Sequence, residues 1–164
     1  MNPFRYHFFL GCFLWLVSSL MISVSAELPK AENLQADAQQ AITDKKPIVL
    51  FFTLPNCSYC RIVRYDYFLP LLKQRTGNDQ PIIREISVTG QNRVILFDGQ
   101  RVTEAELAGR YKVQMTPTVL FVNHEGEVLG NSILGGDHNN YIDLFDKSLV
   151  EATTKIASKR IRVR

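Results

Sequence analysis

Residues 48–60 read Ile48-Val49-Leu50-Phe51-Phe52-Thr53-Leu54-Pro55-Asn56-Cys57-Ser58-Tyr59-Cys60. The first six are apolar or β-branched and do not alternate with polar residues, which predicts a strand covered on both faces. Pro55-Asn56 predicts a turn. The two cysteines then open a segment of helical composition. The first turn of a helix carries unpaired N–H groups and partial positive charge. A sulfur placed there ionises more readily, and the thiolate is the species that attacks disulfides. A second sulfur three residues on can close a disulfide back onto the first. The arrangement predicts a chain that exchanges electrons with the disulfides of other proteins.

On the N-terminal side, residues 32–45 have helical composition, with Leu34, Ala38, Ala41 and Ile42 on one face, and Lys45-Lys46-Pro47 ends the pattern. On the C-terminal side, a helix is predicted from Cys57 to about Arg75, with Ile62, Val63, Tyr65, Tyr67, Phe68, Leu71 and Leu72 as its apolar surface. Helical spacing makes core contact the plainer account of these aromatic residues, whereas Tyr59, between the sulfurs, is expected to be exposed. Pro70 should kink that helix, because its ring clashes and its N–H is missing. Gly77-Asn78-Asp79 ends it. Residues 82–88 predict a second buried strand. Asp98-Gly99, flanked by Val94, Ile95, Leu96, Phe97 and Val102, predicts a small hairpin. Thr103 and Glu106 have the spacing of a capping box for a helix to about Tyr111. Strands are predicted at 118–122 and 127–134, joined by a turn at 123–126. Gly135-Gly136 breaks the pattern, and Asp137 has the place of a cap for a last helix through Tyr141, Leu144, Phe145 and Leu149.

The chain has 164 residues. Residues 1–26 read as a secretory leader: Arg5 and His7 give a basic start, residues 8–24 an apolar stretch, and Val24-Ser25-Ala26 small residues before Glu27. An uncleaved anchor is the alternative, since the apolar run nearly spans a bilayer. Gly11-Cys12 has too little apolar sequence before it for lipoprotein processing. Residues 27–154 suffice for one domain with a core, and 155–164 form a basic C-terminal tail with Lys155, Lys159, Arg160, Arg162 and Arg164. A composition of 46% hydrophobic and 21% charged residues argues against disorder. The net charge of +3 is small and no nucleic-acid signature is present.

Of three cysteines, Cys12 lies in the leader, so the exported domain keeps one close pair. Disulfide-stapled secreted folds usually carry more. The pair therefore reads as an active couple, with a small structural disulfide as the alternative. A zinc site would need further ligands, and His124 and His138 lack paired spacing; copper handling needs a longer cysteine spacing and a placed histidine. No metal and no cofactor is expected. Haem attachment would require His where Arg61 stands.

The order of strands and helices, with Cys57-Ser58-Tyr59-Cys60 after the first strong strand, Met115-Thr116-Pro117-Thr118 before the third and Gly135 after the last, resembles the thioredoxin family over nearly the whole exported chain. The resemblance implies an α/β thioredoxin-like fold: a central four-stranded mixed sheet flanked by helices, with a short insert before the third helix. That insert, residues 94–104 with Phe97-Asp98-Gly99, is similar to exported proteins of the SoxW type. By resemblance Cys57 is the attacking thiol and Cys60 the resolving one. A cis bond precedes Pro117, and Thr116 offers its backbone to an extended substrate beside Tyr59 and Gly135. Thioredoxins carry a buried Asp in the strand under the active site, and a Trp before the first cysteine. Phe51 and Asn56 stand there instead. Glu85, on the neighbouring strand, is then a possible substitute for proton transfer, its alternative being a solvent-facing strand residue. Arg61 and Arg64 would favour the thiolate, though Arg61 reads equally as a solvated helix residue.

The resemblance implies protein disulfide substrates, an upstream electron donor such as a membrane thiol reductase, and a periplasmic location, or a membrane-anchored one facing the periplasm if the leader stays. Thr before the proline resembles reducing and isomerising members, so reduction is the expected direction. Disulfide oxidation or isomerisation, copper handling, or a non-catalytic binding module are the other readings.

Overall fold

The computed structural model describes residues 27–136 and 139–162. The leader over residues 1–26 with Cys12, the cap at Asp137, His138, and the last two residues of the basic tail lie outside the described residues. Helix α1 (Leu34–Asp44) starts at Asn33, whose side chain accepts from the Ala36 N–H, and stops at Lys45 in the left-handed region. Strand β1 (Ile48–Thr53) follows, buried at every position. Helix α2 (Ser58–Ile62), a π-helical segment (Val63–Phe68) and α3 (Leu69–Gln74) form one continuous helical run. Then come β2 (Ile82–Ser87), the hairpin β3 (Arg93–Ile95) and β4 (Arg101–Thr103), α4 (Glu104–Arg110), β5 (Thr118–Val122), β6 (Ile133–Leu134) and α5 (Tyr141–Arg162).

The main sheet has the order β2-β1-β5-β6, and β3-β4 is a separate ribbon. Strand β1 is parallel to β2 and antiparallel to β5, and β5 is antiparallel to β6, so the sheet is mixed. Because successive side chains of a strand point to opposite faces, β1 feeds two cores. Val49 and Phe51 meet Val63, Phe68, Leu69, Leu71 and residues of α5. Ile48, Leu50 and Phe52 meet α1, the hairpin and α4. The absence of alternation in 48–53 follows directly from this double cover.

Five expectations need correction. Tyr65, expected in core contact with Tyr67 and Phe68, is 54% exposed, and Ile62 on the same expected apolar surface is exposed too. Ile42 is 38% exposed rather than turned to the core. The run from Cys57 is not one α-helix: the turns before Pro70 widen to π, and the Leu69 N–H donates to the Arg64 carbonyl five residues back. A proline clashes with the carbonyl four residues before it, and the widened turn accommodates it. The strand expected at 127–134 is split. Val128 bridges Val122, Gly130 then takes φ +144, and regular pairing resumes only at Ile133 and Leu134. The last helix does not stop near Leu149 but continues through Arg162. Residues 155–162 of the basic segment are thus helical, with Lys159 bonded to Glu127 at 2.6 Å.

Candidate active site

Cys57 is the N-cap of α2, in extended backbone, and its sulfur accepts from the Cys60 N–H at 3.1 Å. The preceding Asn56 takes φ +61, a left-handed conformation that Asn tolerates through local hydrogen bonding. The chain is thereby turned sharply out of β1 and into the helix, with the two cysteines on its first turn. They are joined as a disulfide with Cα atoms 5.2 Å apart. Cys57 is partly exposed, whereas Cys60 is 1% exposed and lies in the core with Phe51 and Val63.

The other end of the site comes from β5. The Thr116–Pro117 peptide bond is cis. The Thr116 hydroxyl donates to the Cys57 sulfur at 3.8 Å. Pro117 is buried, and its carbonyl accepts from the Gly135 N–H at 2.8 Å. Cys57, Cys60, Thr116, Pro117 and Gly135 are therefore brought together from three stretches of chain, and Tyr59 stands 48% exposed beside them. Leu54, Ile62, Met115 and Leu134, adjacent in sequence or register to these residues, are exposed large apolar side chains.

A thioredoxin-like domain family model matches residues 34–139. The chain belongs to the thioredoxin-like family. The fold agrees with solved structures of low identity. A thioredoxin h of poplar is 14% identical, with a TM-score of 0.50, over 71% of this chain and 93% of that one. The f2 thioredoxin of Chlamydomonas reinhardtii is 12% identical, TM-score 0.50, over 73% and 95%. The oxidised C-terminal domain of Neisseria meningitidis DsbD is 19% identical, TM-score 0.47, over 70% and 89%. No curated protein matches the sequence. Membership of the family together with a Cys-x-x-Cys disulfide at a helix N-terminus makes the thioredoxin-like domain a thiol–disulfide oxidoreductase.

Within this thioredoxin-like site, Phe51 is fully buried and meets Phe68 edge-on at 5.1 Å, so the strand beneath the cysteines presents an aromatic ring. Glu85 lies opposite Phe51 in the β1–β2 register. It is not a solvent-facing strand residue. Its carboxylate accepts from the Thr53 hydroxyl at 2.9 Å and from two nitrogens of the Arg64 guanidinium, one of them Nε at 3.1 Å. The Glu85 carboxylate holds Arg64 charged more firmly than an isolated guanidinium. Glu85 and Arg64 line a groove of about 430 Å³ that also takes in Cys57, Arg61 and Glu104. Arg61 is exposed on its wall. Glu85 thus borders the same groove as Cys57, whereas Cys60 does not line it.

Sequence reasoning missed two parts of the site. Gly136 lies so close to the active-site helix that a Cβ there would sit 2.9 Å from the Tyr59 carbonyl oxygen; the Gly135-Gly136 doublet signalled a break but not which glycine is needed for space. Glu104 entered the sequence reading only as the end of the 94–104 insert. It is buried, and accepts from the Ser87 N–H at 3.1 Å and the Asn92 amide at 3.0 Å, tying the loop after β2 to α4. His124 is exposed in the turn after β5. Among the described residues no three His, Cys, Asp or Glu side chains stand together as a metal site.

Proposed function

We propose that this thioredoxin-like domain is an exported reductase of protein disulfides, of the SoxW-type subgroup. The observation that carries the catalytic reading is the asymmetry of the pair: Cys57 is reachable at the helix N-cap while Cys60 is sealed behind it. In the reduced protein Cys57 attacks one sulfur of a substrate disulfide. A mixed disulfide forms, and the departing substrate sulfur takes up a proton. Cys60 then gives up its proton and attacks the Cys57 sulfur, which releases the second substrate thiol and re-forms the 57–60 bond. A dithiol donor restores the pair by the reverse exchange.

In this reading the backbone at Thr116 receives an extended segment of substrate in strand fashion. Pro117 and Gly135 shape that edge, and Tyr59 with Leu54, Met115 and Leu134 gives it an apolar rim. Export is supported by the leader pattern of residues 1–26, and the subgroup by the hairpin insert. The reducing direction is supported by threonine before the proline.

The test of catalysis is turnover of insulin disulfides with dithiothreitol as donor. Wild-type protein should accelerate the reaction, and Cys57→Ser should fall to the uncatalysed rate. Equal turnover by that variant would remove Cys57 as the nucleophile. Direction is read from equilibration with glutathione. Thioredoxin-like couples span about −270 to −120 mV, and a value near the upper limit would contradict a reductase.

A further inference from the structure

Arg64 is tied to Glu85, yet it lines the same groove as the cysteine that must ionise. Cys57, Arg61 and Arg64 are spaced i, i+4 and i+7, which puts them on one face of the helical run, and all three line the groove. Helical side chains lean toward the helix N-terminus, and here that end is Cys57. In the oxidised protein the sulfurs are neutral, and the Arg64 guanidinium has the Glu85 carboxylate as its anionic partner. The Thr53 hydroxyl holds that carboxylate from the other side at 2.9 Å.

We propose that Arg64 is a counter-cation shared between Glu85 and the Cys57 thiolate, so that the grip of Glu85 on Arg64 sets how readily Cys57 ionises. This deepens the catalytic reading above and rests on Cys57 being the nucleophile. When a dithiol donor reduces the pair, it supplies two electrons and two protons. The Cys57–Cys60 bond breaks, one proton stays on Cys60, the other leaves to water, and Cys57 becomes an anion on the groove that Arg64 also lines. Arg64 then faces two anions. The part of its charge turned to sulfur lowers the cost of the thiolate, and the part kept by Glu85 does not.

The remaining charges around Cys57 are placed to act less. Glu104, from α4, is buried and pinned by the Ser87 N–H and the Asn92 amide. Glu27 and Lys30, from the N-terminal segment, are exposed and of opposite sign. Arg61, on the same helical run, is exposed and open to screening by salt, and Tyr65 presents its ring to the Arg64 guanidinium at 5.7 Å, a contact that variants at Glu85 leave in place. The Arg64–Glu85 pair is partly buried, where charge acts through less water. With Phe51 in the strand beneath the cysteines, this lateral pair is the ionic device that neighbours the groove wall of Cys57.

The experiment is a double-mutant cycle on the full chain, reduced with dithiothreitol. The ionisation midpoint of Cys57 is read from thiolate absorbance at 240 nm and from the pH dependence of alkylation by iodoacetamide, with circular dichroism reporting folding. Glu85→Gln should lower the midpoint and Arg64→Gln should raise it, each by roughly half to one pH unit. In the Arg64→Gln background, Glu85→Gln should move it by less than half as much. Arg64→Lys keeps the charge and should stay nearer wild type; should Arg64→Gln fail to fold, Arg64→Lys with and without Glu85→Gln completes the cycle, and the lysine's weaker hold on the carboxylate should shrink the Glu85→Gln shift. Shifts of the same sign, or an undiminished Glu85→Gln effect once Arg64 is replaced, would overturn the proposal. A wild-type midpoint no lower than that of an ordinary thiol, about 8.5, would instead count against the nucleophile reading, whatever the variants do.

Discussion

A methyl group on Gly136 would sit 2.9 Å from the Tyr59 carbonyl oxygen and 3.0 Å from a Val63 methyl. Both belong to the run that carries the cysteines, and neither is a loose side-chain end. Gly136→Ala should therefore cost roughly 1–3 kcal/mol, as overpacking does, and slow disulfide exchange through displacement of the first helical turn; thermal melting and insulin turnover measure the two effects. Its neighbour Gly135 has open space around it but φ +76. Gly135→Ala should cost about 1 kcal/mol from backbone strain, with less effect on the helix. The difference between these glycines was not legible in the sequence, because it depends on which one faces a helix some 75 positions away in the chain. The cysteines were legible, because strand, turn, spacing and helix start are all local. Arg64 and Glu85 were each visible as charged residues, but their meeting requires β2 to lie beside β1.

Phe68, at the end of the π segment, contacts Phe51 of β1 at 5.1 Å and Phe145 of α5 at 5.2 Å. It joins the active-site helix to the sheet and to the last helix. Phe68→Ala should cost about 3–5 kcal/mol, read as a fall in the denaturation midpoint. By contrast, Thr103→Ala removes only the N-cap of α4, whose hydroxyl accepts from the Glu106 N–H at 3.1 Å, and should cost about 1 kcal/mol. The hairpin and this cap were readable because Asp98-Gly99 and Thr103-x-x-Glu106 carry their geometry within four residues. The strand at 127–134 was overread because its composition is continuous while its backbone is not: Gly130 leaves the ladder. Tyr111, at the end of α4, donates to the Gly126 carbonyl at 2.8 Å, and burial pushes its hydroxyl up to about 12 from 10.0. A raised folded-state value means that the stability Tyr111 contributes is complete below pH 10 and is lost as pH rises toward 12. Tyr111→Phe should remove this part of the alkaline loss, as pH-dependent denaturant titration will show.

For the molecule as a whole, the sheet separates two cores and leaves the cysteines at the edge of one of them, where Cys60 is buried and Cys57 only partly so. The fold class was legible because the uninterrupted apolar run at 48–53 already implied layers on both sides. The charge arrangement around the site was not, since it arises from elements that meet only in the assembled domain. The cycle depends on that difference in access: one sulfur must meet substrates and the other must wait behind it. Differential alkylation measures this without any assumption about substrate. The reduced protein is exposed briefly to iodoacetamide near pH 7, quenched and digested, and the label on each cysteine is counted by mass spectrometry. Cys57 should carry nearly all of it and Cys60 almost none. Equal labelling of the two, or a preference for Cys60, would contradict the assignment of Cys57 as the attacking thiol.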